Sequence, residues 1–222
     1  MIILANIKDF DQKNQTRIAF IHAAQSLIDT EKPENLSVRN IAKKAGFHNS
    51  TIYLYFDGLD HLICLSTMKY MSEYNEALAK LGLEHRPPAD LFFETWHYFC
   101  KYIFKRPYVF RYFFFGKYAG QLSRIMREYY DLFPEEEKTH TSNDIREMYY
   151  ADDLEARSSR IMYPLIGVEG YRVTKDNLHL CNTIIVNYFE TLLKRKCDDP
   201  DLDNEMLYEE LARVMTLIVK KI

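Results

Sequence analysis

"IAKKAGFHNSTIYLYF", residues 41–56, decides the fold. Ile41, Ala45, Ile52 and Tyr55 face one small core if a helix ends near Gly46 and a second starts just after Phe47. Ala42 lies four residues before Gly46, where two steeply crossed helices come closest and only a small side chain fits. Gly46 is able to take the left-handed conformation that ends the first helix and turns the chain. Phe47 is expected to drop into the core. Upstream, Ser37 suits the N-cap of the first helix, although Asn40 stands where Glu or Gln would complete a capping box. The pattern is a helix-turn-helix whose second helix opens on His48, Asn49, Ser50 and Thr51.

Outward from this stretch, helical periodicity recurs and period-two alternation does not, so the chain is expected to be all-α. Ile18, Ile21, Ala24, Leu27 and Ile28 form one face of a first helix, which "DTEKPEN" ends at Pro33. From Leu59 to about Leu81 the pattern predicts one longer fourth helix, broken by "GLEHRPPAD" with Gly82, Pro87 and Pro88. Residues 92–133 hold more than half of the chain's aromatic residues, including its sole tryptophan, Trp96. Rings in that number suit a roomy cavity or an aromatic interface. Pro134 to Thr141 reads as an acidic, polar loop, and the region from there to Gly170 shows no clear pattern. After Thr174, a suitable N-cap, Leu178, Cys181, Ile185, Tyr188 and Leu192 make one stripe; Cys197–Asp203 breaks it, and Leu207, Leu211, Val214, Met215 and Ile218 make another. Two such helices pack within one chain or pair with a second copy as a four-helix bundle.

At 222 residues there is room for one large domain or two modest ones. The net charge of -3 excludes a generally cationic protein, so contact with nucleic acid has to come from a local patch. Arg39, Lys43 and Lys44 form one on the polar side of the first motif helix. Cys64, Cys100, Cys181 and Cys197 are widely spaced and read as reduced core residues. With no leader pattern and no run approaching the roughly 18 apolar residues of a membrane span, a cytoplasmic protein is expected. His61, His85, His97, His140 and His179 are scattered, and neither a metal-binding pair nor a phosphate loop or nucleophile elbow is present. No catalytic residue, metal site or cofactor is expected.

Residues 11–65 resemble the DNA-binding domain of the tetracycline-repressor-like (TetR) family of bacterial transcription regulators. "SVRNIAKKAG" is similar to that family's second helix and "HNSTIYLYF" to its recognition helix, with Ile52-Tyr53-x-Tyr55-Phe56 followed by Leu62. The resemblance implies a three-helix DNA-binding domain at 1–58 and a helical ligand-binding and dimerisation domain at 59–222. It departs at Leu59, where the family carries a phosphate-binding lysine, and Asp57 and Asp60 beside it repel phosphate.

A recognition helix enters the major groove by its N-terminal end. His48 and Asn49 are therefore the expected base contacts, and Thr51 reaches a thymine methyl or a phosphate. Ser50, Tyr53 and Tyr55 complete the tip, and Ser37, Arg39, Lys43 and Lys44 are expected against the backbone. Useful specificity requires a homodimer on a palindromic operator. Ile185, Tyr188, Leu192, Leu211, Val214 and Ile218 are the expected interface. The resemblance also implies an inducer pocket in the larger domain; Phe93, Trp96, His97, Cys100 and Tyr112, which mix bulk and polarity in the aromatic region, are the candidate pocket residues, and a repressor released by a small apolar or aromatic inducer is expected rather than an activator. The competing reading is an interaction protein that keeps the regulator fold without specific DNA binding; the balanced charge and Leu59 support it.

Overall fold

Apolar residues at three- and four-residue steps build eleven α-helices among the described residues of the computed structural model, which are 2–81, 86–137 and 143–221. Gly82, His85, His140 and the end of the expected Pro134–Thr141 loop lie outside them. The fold is all-α; the bridge between Tyr171 and Lys220 is the sole β pairing among the described residues.

The chain divides into two compact units, residues 1–70 with 125–137, and residues 71–124 with 138–222. In the first, α1 (Ile2–Ile28) begins well before its periodic face and turns Phe20, Ile21, Ala24 and Ile28 inward. Pro33 starts a short 3-10 turn, Pro33–Asn35, in place of further helix. Against α1 pack α2 (Val38–Ala45) and α3 (Leu59–Thr67). Residues 125–137, which include most of α7 (Leu122–Leu132), add Ile125, Met126, Tyr129 and Phe133 to the buried set.

The expected single helix from Leu59 to Leu81 is instead α3, a 3-10 turn over Met68–Met71, and α4 (Ser72–Leu81). The cause lies in Ser66 and Thr67. Both are buried, and their hydroxyls donate back to the carbonyls of Leu62 (2.7 Å) and Cys64 (2.6 Å). Back-bonding of this kind competes with the helical ladder and bends it.

The second unit holds α4, α5 (Pro88–Ile103), α6 (Pro107–Phe115), α8 (Asn143–Tyr149), α9 (Leu154–Met162), α10 (Leu178–Asp198) and α11 (Asn204–Val219). Here α10 packs on α6, α9 and α11, while α5 packs on α4, α9 and α11. Phe189 of α10 is the hub, with ring centroids 5.1 Å from Phe99, 5.5 Å from Trp96 and 5.7 Å from Phe104. Thr174 caps the turn ahead of α10: its hydroxyl accepts from the Asn177 amide, and the Asn177 side chain accepts from the Thr174 amide. Between α10 and α11, the buried ammonium of Lys196 donates to the carbonyls of Pro200 and Leu202 and so ties the connecting loop back to α10.

Candidate nucleic-acid interface

Ser37 caps α2 by accepting from the Asn40 amide at 3.2 Å. At the other end Gly46 lies at φ 79°, in the left-handed region. Its amide donates to the Lys43 carbonyl (3.3 Å) and the Phe47 amide to the Ala42 carbonyl (3.0 Å), the paired bonds of a Schellman motif. Arg39, Lys43 and Lys44 are exposed along α2.

The next element is a 3-10 helix, Asn49–Leu54, where an α-helix is expected. His48 caps it. Its Nδ1 accepts from the Ser50 amide (3.3 Å) and lies 2.8 Å from the Ser50 hydroxyl, so the neutral ring keeps its proton on Nε2. Ile52 and Phe56 fix the segment from below: both are buried, and Phe56 meets Phe20 edge to face at 6.1 Å. Phe47 differs from expectation as well. It stacks on Phe20 at 5.2 Å but stays 37% exposed, a lid on the core rather than a member of it.

The outer surface of this tip is polar at its start and apolar at its end. His48, Asn49 and Ser50 are exposed, Thr51 and Tyr55 half-buried, Tyr53 64% exposed and Leu54 77% exposed. Sequence reasoning passes over Leu54. Its signal is that it falls between the core positions Ile52 and Phe56 and so has no inward direction available.

Behind the tip, His61 is buried at the start of α3. Its Nδ1 accepts from the Asp57 amide (3.1 Å) and its Nε2 donates to Glu128 Oε2 (3.0 Å), while Glu128 also pairs with Arg17. One carboxylate thereby ties α1, α3 and residues 125–137 of the same unit. Asp57 is exposed and Asp60 half-buried next to Leu59, which leaves that edge of the tip acidic.

The other expected residues lie in the second unit. Ile185, Leu192 and Leu211 are fully buried within it, and Tyr188, Val214 and Ile218 are half-buried. The exposed apolar side chains of α10 and α11 are Leu180, Ile184, Met206 and Leu217. Of the expected pocket residues, Trp96 lines a small cavity of this unit, with Tyr74, Phe99, Met148, Arg157 and Ser158 among the other walls. Cys100 is fully buried, and burial holds its thiol well above the usual range. His97 joins α5 to α11 through Glu205 (3.1 Å) and by stacking on Tyr208 (4.3 Å). Phe93 and Tyr112 are half-buried. Arg157 has a sequence signal: it sits three residues after Leu154 and four before Ile161, a cation on the buried stripe of α9. Among the described residues no group of three or more His, Cys, Asp or Glu side chains is placed to hold a metal ion, and no helix is long and apolar enough to cross a membrane.

The first unit, with its exposed tip on a buried footing, has the arrangement of a helix-turn-helix domain. Residues 20–63 match the family of bacterial regulatory proteins of the tetR type. The fold of the chain is similar to that of Thermus thermophilus FadR, a TetR-family transcriptional repressor in complex with lauroyl-CoA (14% identity, 91% of this chain and 92% of that chain, TM-score 0.59). It is also similar to a TetR-family transcription regulator from Marinobacter aquaeolei VT8 (16%, 96% and 100%, TM-score 0.50) and a TetR-like transcriptional regulator from Rhodococcus sp. RHA1 (14%, 90% and 93%, TM-score 0.50). At these identities the likeness is one of fold. No curated protein matches the chain in sequence.

Proposed function

We propose that the protein is a ligand-responsive repressor that binds a palindromic operator as a homodimer, reading bases with residues 48–54. The observation that carries this reading is the tip itself. Ile52 and Phe56 spend the segment's apolar side on the core, leaving His48, Asn49, Ser50 and Tyr53 outward with no burden of packing. Asn49 suits a bidentate pair with adenine, and the Nε2–H of His48 suits a guanine acceptor. Leu54 offers an apolar contact for a thymine methyl, a role that sequence assigned to Thr51. Lys43, Lys44 and Arg39 supply attraction to phosphate without sequence preference, Ser37 and Tyr55 flank them, and the acidic edge at Asp57 and Asp60 limits anchoring there.

Residues 1–58 serve as the reading domain and 59–222 as the domain for ligand and partner. The surface for the second copy follows Leu180, Ile184 and Leu217, with half-buried Tyr188, Val214 and Ile218 beside them. The twofold places two tips about 34–36 Å apart in successive major grooves. A small inducer with an apolar or aromatic body acts by binding better to a conformation in which that spacing is wrong. FadR, which shares the fold, carries the amphiphile lauroyl-CoA.

The second reading, a regulator fold kept for protein interaction, draws on the acidic edge and on the exposed apolar pair Tyr53 and Leu54. Binding to the DNA upstream of the protein's own gene separates the two. Substituting Lys43 with Ala should weaken all sequences alike and lower the salt slope by about one, whereas Asn49→Ala should cost about 1–3 kcal/mol on the operator alone. Equal loss on operator and unrelated DNA for both variants rules out base reading by this tip.

A further inference from the structure

The fold has a ready way to satisfy a hydroxyl buried on a helix: Ser66, Thr67 and Thr95 each donate to a carbonyl three or four residues back. Ser158 on α9 does not. It is 3% exposed, and its hydroxyl has no hydrogen-bond partner. The same holds for the indole Nε1 of Trp96 on α5, which is 2% exposed and whose ring is held by Phe99 (5.6 Å) and Phe189 (5.5 Å). Trp96 and Ser158 line one cavity of the second unit, together with the apolar side chains of Phe99, Met148, Leu154 and Ile161. At about 20 Å³ the cavity has room for a single water-sized group, so its walls lie within reach of one oxygen atom.

A buried donor left unmet is costly. An indole N–H can only donate, so whatever meets Trp96 has to accept. A carbonyl oxygen accepts two hydrogen bonds, one from each group, and brings no donor of its own that would need a partner among apolar walls. Charge is not called for. Arg157 also lines the cavity, but its guanidinium is engaged with the rings of Tyr149 (5.4 Å) and Phe114 (5.5 Å), which are not among the lining residues. An ionised ligand entering here loses its hydration with no free countercharge to meet it.

We infer that this cavity takes a neutral carbonyl compound with an apolar body, its oxygen accepting from the Trp96 N–H and the Ser158 hydroxyl. This rests on the ligand-responsive reading above and names the class of its ligand. The body needs more space than the cavity offers, and Met148, unbranched and adaptable, is the wall residue that yields it most readily. A site that opens only around its ligand has the differential affinity that regulation requires.

The test is titration of the full-length protein with acetophenone and heptyl methyl ketone, and with the alkenes of the same shape in which a methylene replaces the carbonyl oxygen; benzoate is the charged counterpart. Trp96 fluorescence and calorimetry read the parent and Ser158→Ala, and calorimetry reads Trp96→Phe. The ketone-to-alkene affinity ratio should be about three- to tenfold smaller in each variant than in the parent, with thermal midpoints close to that of the parent, and benzoate should bind more weakly than acetophenone. If Trp96→Phe fails to fold, Ser158→Ala carries the comparison alone. A ratio unchanged in the variants overturns the inference, as does benzoate that binds at least as tightly as acetophenone, or no binding of any probe, in which case the cavity holds water only. Ketones that bind with the expected ratios but leave operator affinity unchanged uphold the site and defeat the regulatory reading. A compound that releases the operator where no ketone binds defeats the site and upholds that reading.

Discussion

Replacing Gly46 with alanine perturbs the turn of the helix-turn-helix in one defined way. At φ 79° and ψ 23° a side chain is disfavoured by its own backbone, yet a Cβ built there meets nothing within 4 Å. The penalty is thus conformational and not steric. A left-handed L-residue costs about 1–2 kcal/mol, and the loss of glycine's freedom in the unfolded chain returns about 0.4–1 kcal/mol. The net expectation is a loss of about 1 kcal/mol for Gly46→Ala and a smaller one for Gly46→Asn, because Asn tolerates this region. Both bonds of the Schellman motif come from backbone amides and survive, so operator affinity measured well below the unfolding transition should be unchanged. Urea unfolding followed by far-ultraviolet circular dichroism measures the loss, and amide exchange across residues 42–47 localises it. An alanine variant as stable as the parent, or an asparagine variant that loses as much as alanine, refutes the assignment of the cost to positive φ.

Glu128→Ala removes the acceptor of the buried His61 Nε2–H and should cost the protein about 1–3 kcal/mol, with Glu128→Gln losing less because it retains a carbonyl; equal losses in urea unfolding contradict this. The pair with Arg17 is partly exposed on both sides and is expected to add little. Ile184→Glu or Leu217→Glu should give helical monomers by analytical ultracentrifugation, whereas Ile185→Glu, placed at a fully buried position, should lose helicity; dimers of unchanged mass from both surface variants argue against that surface. All four cysteines are buried, and burial raises the Cys64 thiol to about 12, so a thiol reagent at pH 8 should leave the native protein unlabelled and label all four in denaturant. Rapid native labelling of Cys64 contradicts its placement.

Much of the helix-turn-helix is legible in the sequence because its turn chemistry is local. Ser37 and Gly46 mark the two ends of α2, and the spacing of Ile41, Ile52 and Phe56 describes one small core. Periodicity, however, does not distinguish a six-residue α-helix from a 3-10 helix; that choice follows from how tightly Ile52 and Phe56 are held. Nor does it reveal that Ser66 and Thr67 interrupt a helix from within through their own hydroxyls. The stripes of α10 and α11 were readable as apolar, but a stripe does not name its partner. Ile185, Leu192 and Leu211 face their own unit, and Ile184 on the adjacent face is exposed. The cavity is the hardest case. Trp96 draws notice as a lone indole, while Arg157 and Ser158 sit in the stretch where sequence shows least pattern, and only three-dimensional packing brings them to the same space.

Selection from random duplexes with the full-length protein, repeated with His48→Ala and Asn49→Ala, tests most directly whether residues 48–54 read bases. The account predicts an enriched palindrome with half-sites about one helical turn apart, and relaxed preference at a different base pair of each half-site for each variant. Recovery of no sequence, or of the same sequence unchanged from both variants, contradicts it.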